Sequence, residues 1–184
     1  MRLMSLVFVM FAFLAGFALV APSRAADKPL ETVASVDLDR YLGRWYEIAS
    51  YPAWFQKNCT GVTADYSLRE DGRIKVVNSC RKKTLDGRAK QSTGKAKVVD
   101  TATNAKLKVS FFGPFWGDYW IIDLDRDYQW AVVGVPNRKY LWILSRTPQM
   151  DEEVYEGIVS RLRDQGYDPT RLNRTLQSES GGNE

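Results

Sequence analysis

Between residues 43 and 145 the chain runs through a series of short segments in which side-chain character alternates with a period of two. The pattern is plainest where Val62, Ala64, Tyr66 and Leu68 alternate with Thr63, Asp65 and Ser67. It recurs where Leu107, Val109 and Phe111 alternate with Lys106, Lys108 and Ser110. Eight such segments are read, over residues 43–51, 60–68, 73–81, 92–99, 106–112, 119–123, 129–135 and 140–145. Turn signals separate them, among them Asp71-Gly72, Asp86-Gly87, Gly113-Pro114 and Pro136-Asn137. Consecutive strands on tight turns pair most simply with their neighbours, and a meander of this kind must hide its two edges. Closure into a barrel does so, and eight strands make an interior that can hold one small ligand. The expected fold is all-β: an eight-stranded antiparallel up-and-down β-barrel with one C-terminal flanking α-helix. That helix starts at the cap Asp151 and ends near Gly166, with Val154, Ile158 and Leu162 beside Tyr155 and Val159 on its apolar face.

A length of 184 residues suits one domain. The absence of histidine excludes a Ser-His-Asp triad, a Cys-His dyad and an imidazole-ligated zinc site. No metal and no cofactor are expected. Residues 1–25 read as a signal peptide: Arg2 is the positive start, residues 6–20 are an apolar run, and Ser23-Arg24-Ala25 forms a small-residue cleavage site. An uncleaved membrane anchor is the alternative. Removing residues 1–25 takes away Arg2 and Arg24, so 24 basic residues face 22 acidic ones. A nearly neutral chain gives little support to a nucleic-acid partner. The organisation expected is residues 1–25 as signal, 26–177 as the domain and 178–184 as a flexible tail.

Cys59 and Cys80 are the only cysteines. In an exporting context a lone pair reads as a structural disulfide, with a free reactive thiol as the alternative.

The inward series by alternation contains Val62, Ala64, Tyr66, Ile74, Val76, Asn78, Leu107, Val109, Phe111, Tyr119, Ile121, Tyr140 and Trp142. Small residues on the same inferred face (Ala49, Ala64, Gly94 and Ala96) suggest room inside, against the alternative of a solid, filled barrel.

Gly43-Arg44-Trp45-Tyr46-Glu47 resembles the first signature of the lipocalins. Asp123-Leu124-Asp125-Arg126-Asp127-Tyr128 loosely resembles their second, and residues 142–148, with Arg146, look like the third. The stretch 105–115 is similar to bacterial lipocalins, the group that also resembles apolipoprotein D. Together these cover residues 36 to about 172. The resemblance implies structural roles for Gly43, Trp45 and Arg146, with Trp45 plugging the closed end under the Arg146 guanidinium. It implies ligand contacts for Tyr66 and Trp142, with Asn78 near them. The entrance is expected at Trp54 and Phe55, with Phe115 and Trp116 as a second aromatic pair on the rim, able to touch a membrane surface transiently.

The expected function is binding or transport of a hydrophobic small molecule in the barrel cavity. A fatty acid or lysophospholipid is the leading ligand, serving envelope lipid storage or maintenance. The alternatives are a sterol or tetrapyrrole-type ring ligand and, from another class, a lipocalin-fold enzyme. No nucleophile–base pair is visible, so the expectation is a non-enzyme. Many bacterial lipocalins carry a lipobox cysteine; here Phe17 stands at that place. The chain is therefore expected to be exported and, if bacterial, periplasmic and soluble without a lipid anchor.

Overall fold

The computed structural model describes residues 28–178. The expected signal (1–25) lies outside the described residues, as do positions 179–184 of the expected tail. A short helix α1 (Leu38–Tyr41), capped by the Asp37 carboxylate, leads into the barrel. The strands follow as β1 (Gly43–Ser50), β2 (Cys59–Leu68), β3 (Ile74–Lys82), β4 (Ala89–Val98), β5 (Lys106–Ser110), β6 (Gly117–Leu124), β7 (Trp130–Gly134) and β8 (Leu141–Ser145). Each pairs antiparallel with the next, and β8 returns to β1 to close the barrel. The eight alternating segments thus correspond to the eight barrel strands, with ends shifted by a few residues.

The sequence pattern does not reveal a ninth strand, β9 (Asn173–Arg174), which pairs with β1. Its position has a clear cause. β1 and β2 pair only from Gly43↔Tyr66 to Tyr46↔Thr63, after which they diverge. The C-terminal segment fills the split. Thr175 N donates to Ile48 O at 2.9 Å, Gly61 N donates to Leu176 O at 2.7 Å, and Gln177 Nε2 donates to the carbonyls of Glu47 and Val62 at 2.8 and 2.9 Å. Backbone groups that the divergence would leave without partners are satisfied by this seam.

Helix α2 (Glu152–Asp164) is capped by Asp151, whose carboxylate accepts from Glu153 N at 2.9 Å and Val154 N at 3.2 Å. Tyr155, Ile158, Val159 and Leu162 bury against Ile48, Tyr51, Ile122, Val132, Leu141 and Ile143 on the outside of the sheet. Val154, read from periodicity as part of the apolar face, is exposed instead. A second apolar cluster fills the barrel, from Trp45 at the closed end through Tyr66, Ile74, Val76, Leu107, Ile121 and Val133.

The disulfide Cys59–Cys80 is formed, with Cα atoms 5.5 Å apart. β2 carries a register shift between Thr60 and Thr63, where Gly61 sits at φ +55°, so Cys59 faces Lys82 and reaches Cys80 diagonally. The bridge fastens the start of β2, and with it the β1–β2 connection, to β3.

Candidate functional site

The closed end is built around Trp45, which is fully buried. Its indole Nε1 donates to Tyr41 O at 2.9 Å. The Arg146 guanidinium lies 3.8 Å above the ring and donates to Arg44 O at 2.8 Å, Arg40 O at 2.6 Å and Tyr128 O at 3.2 Å. One planar fork thus covers the indole and ties three chain segments together. Gly43 stands beside it at φ +91°, and a β-carbon there would sit 3.4 Å from Arg146 Nη1.

Above this floor three tyrosines meet. Tyr119 Oη lies 2.7 Å from Tyr41 Oη and 2.9 Å from Tyr66 Oη, so Tyr119 bridges the other two and each phenol oxygen has a partner. Burial pushes the Tyr66 hydroxyl up to about 12 and those of Tyr41 and Tyr119 well above the ordinary tyrosine range. All three stay neutral donors in an otherwise apolar chamber whose walls include Ile74, Val76, Ala96, Leu107 and Val109. The cavity left among these side chains is small, with room for roughly one water.

Two of the small residues do not supply the room expected of them. Ala49 follows a register shift between Glu47 and Ala49 and packs in the outer cluster with the helix. At Gly94 a β-carbon would meet the Phe111 ring and Ser110 O, each at 2.7 Å; the ring already occupies the space that glycine leaves.

The mouth is spanned by the β1–β2 connection, which includes a 3₁₀ turn over Trp54–Gln56. On one side the Phe55 ring lies 5.6 Å from Tyr140, Tyr140 stacks on Trp142 at 5.8 Å, and Trp142 Nε1 donates to Gln56 Oε1 at 3.3 Å. On the other side Lys90 Nζ donates to Phe55 O at 3.3 Å and Lys82 Nζ to Lys57 O at 2.5 Å. β8 and β4 lie four strands apart in the closed order, so the connection is a strap across the barrel.

Beneath the strap sits Glu47, 4% exposed. Its carboxylate accepts from Ser50 Oγ at 3.0 Å, from Thr175 Oγ1 at 2.5 Å and from Gln56 Nε2. Burial still raises its pKa above the ordinary glutamate value, because three neutral donors only partly replace water. The carboxylate thus holds both the strap and the C-terminal seam. Its burial was not marked by any local motif.

Tyr66 and Trp142 both point inward but are not brought together: one belongs to the tyrosine group, the other to the strap. Asn78 has inward parity, opposite Ala64 and Ser92, and is exposed at the mouth. Ala64, Val76, Val109, Phe111 and Tyr119 join the interior cluster, whereas Val62 is buried beside the C-terminal seam and Tyr140 stands at the rim. Trp54 is 79% and Phe115 77% exposed, and Phe112 adds a third bare ring at the same end. Trp116 departs from the expected rim. It folds onto the outer wall, with Lys97 and Lys95 at 4.6 and 5.7 Å from its ring, because both lysines have outward parity on β4.

Comparison with known proteins agrees with this architecture. The family model described as "Lipocalin-like domain" matches residues 36–177. The outer membrane lipoprotein Blc of Escherichia coli K12 is 44% identical over 173 residues, covering 94% of this chain and 96% of that protein. Temperature-induced lipocalin-1 of Arabidopsis thaliana is 44% identical over 162 residues, covering 83% and 86%. The solved structure of insecticyanin from Manduca sexta superposes with a TM-score of 0.66 at 21% identity, covering 82% of this chain and 85% of that one. A family match across most of the domain, a relative at 44% identity over nearly its whole length, and a closed barrel with its outer helix agree: the chain belongs to the lipocalin family.

Proposed function

We propose that this lipocalin binds a single-chain lipid, a fatty acid or lysophospholipid, with the acyl chain inside the barrel and the head at the strapped mouth. The observation that carries this reading is the separation of polarity along the barrel axis. Ile74, Val76, Leu107 and Val109 line a chamber in which the tyrosine hydroxyls bond to one another, while the exposed Asn78 amide and the side chains of Gln56, Lys82 and Lys90 gather at the mouth. Each methylene moved out of water into such a chamber contributes about 0.8 kcal/mol. With the strap seated the chamber holds roughly one water, so loading requires the strap to lift and the interior side chains to repack.

The reading is of a carrier, not a catalyst. Glu47, the buried carboxylate among the described residues, is engaged by Ser50, Thr175 and Gln56 and serves to tie the strap and the C-terminal seam to the first strand. The exposed rings of Trp54, Phe112 and Phe115 at the mouth suit transient contact with a membrane surface during loading. A relative named an outer membrane lipoprotein supports an envelope setting, and Phe17 in place of a lipobox cysteine supports export without acylation.

Native mass spectrometry of gently purified protein tests the ligand class. A mass adduct of a single-chain lipid is expected. A ring compound as the adduct would replace this reading with the ring-ligand alternative.

A further inference from the structure

The strap is held on its β3–β4 side by two ammonium groups that have only neutral partners. β3 runs inward through Ile74, Val76, Asn78 and Cys80 to Lys82, and its register against β4 is unbroken, pairing Cys80 with Lys90 and Asn78 with Ser92. This wall is therefore graded: aliphatic near the floor, an amide and a hydroxyl higher up, and two lysines at the rim. The inward positions of these two strands contain no carboxylate. Lys82 and Lys90 donate to the main-chain oxygens of Lys57 and Phe55, and neither makes an ion pair among the described residues. Glu47, the acid that Gln56 of the strap contacts, is engaged by Ser50, Thr175 and Gln56 instead. An ionised oxygen makes a hydrogen bond roughly twice as strong as a neutral carbonyl does, so an anion arriving at the mouth competes well for both lysines.

We propose that Lys82 and Lys90 are the headgroup site of this barrel, and that a carboxylate or phosphate on a single-chain lipid displaces the carbonyls of Lys57 and Phe55 as their acceptor. This rests on the acyl-carrier reading and adds the charge of the ligand to it. Because the same two bonds hold the strap, capture of the head and release of the strap on that side are one event. Phe55 and Gln56 stay tied to Tyr140 and Trp142 on the far wall, which then acts as the hinge side.

The test compares delipidated full-length protein with its Lys82→Met/Lys90→Met and Lys82→Arg/Lys90→Arg variants by calorimetry. The ligands are three lipids of one chain length: palmitate, palmitoyl lysophosphatidic acid and the uncharged monopalmitoylglycerol. The parent should bind both anionic lipids about tenfold or more tighter than the neutral one. The methionine pair should lose most of that advantage, with neutral-lipid affinity equal to the parent's or higher because the bonds that hold the strap go too, and the arginine pair should keep it. Acetate and inorganic phosphate at millimolar concentration should not displace bound palmitate. An anionic advantage that survives in the methionine pair, or a parent that binds the neutral lipid equally well, would overturn the proposal while leaving the acyl carrier intact. Displacement by the chain-free anions would overturn the coupling of head to chain. A parent that binds none of the three lipids would overturn the carrier reading itself and this proposal with it.

Discussion

Thr175 Oγ1 donates to the Glu47 carboxylate at 2.5 Å, joining the end of the chain to the middle of the first strand. The same carboxylate accepts from Gln56 in the strap. Seam and strap therefore share one buried acceptor.

Replacing Thr175 with valine keeps the side-chain volume and removes one of three donors. A hydrogen bond to a charged group contributes about 1.5–3 kcal/mol, so Thr175→Val should lose about that much stability in urea denaturation. Amide exchange should rise at Gly61, whose N–H donates to Leu176 O in the same seam, more than at the floor.

The pH dependence follows from Glu47. Burial raises its folded pKa above the unfolded value near 4.5, so the folded state holds the proton more tightly than the unfolded one. The resulting stabilisation is fully present below the unfolded pKa and is lost as pH rises through the folded value. Glu47→Gln lacks this slope. Measured from pH 4 to pH 7.5, the stability of the glutamine variant should improve relative to the parent as pH rises. A gap that widens against the variant with rising pH would contradict this assignment.

At the floor, Trp45→Ala should destabilise the fold by about 3–5 kcal/mol, as truncation of a buried aromatic does. Arg146→Ala should cost about 1–3 kcal/mol through the lost carbonyl bonds. Lysine at Arg146 should recover only part of this, since one ammonium cannot present a planar fork to three carbonyls. Neither position should alter which ligand the folded fraction prefers. Thermal melts with and without a fatty acid check both points.

Much of the fold was legible because strand parity is a local property. Tyr66, Val76, Leu107 and Trp142 point inward as alternation requires, in stretches where the register is unbroken. One misreading sits beside an irregularity. Ala49 left the interior at the shift after Glu47. The terminal strand at Asn173–Arg174 is too short for any period, and exists only because β1 and β2 part. The site was half legible for a related reason. Its apolar chamber follows from alternation, but the strap depends on lysine ammoniums reaching carbonyls far along the chain, and periodicity carries no trace of such bonds. Adjacency to Phe115 places Trp116 on the rim, yet two outward lysines hold it against the wall.

The central claim is that the barrel accepts an acyl chain, and calorimetric titration of the delipidated protein with saturated fatty acids of increasing length tests it most directly. Affinity should rise about fourfold per added methylene, matching about 0.8 kcal/mol each, and then level off once the repacked chamber is full. Trp142→Ala should weaken the tightest of these by about 1–3 kcal/mol while keeping the length dependence, since Trp142 lies beside the strap rather than along the chamber. An affinity that stays flat at every chain length would contradict the account.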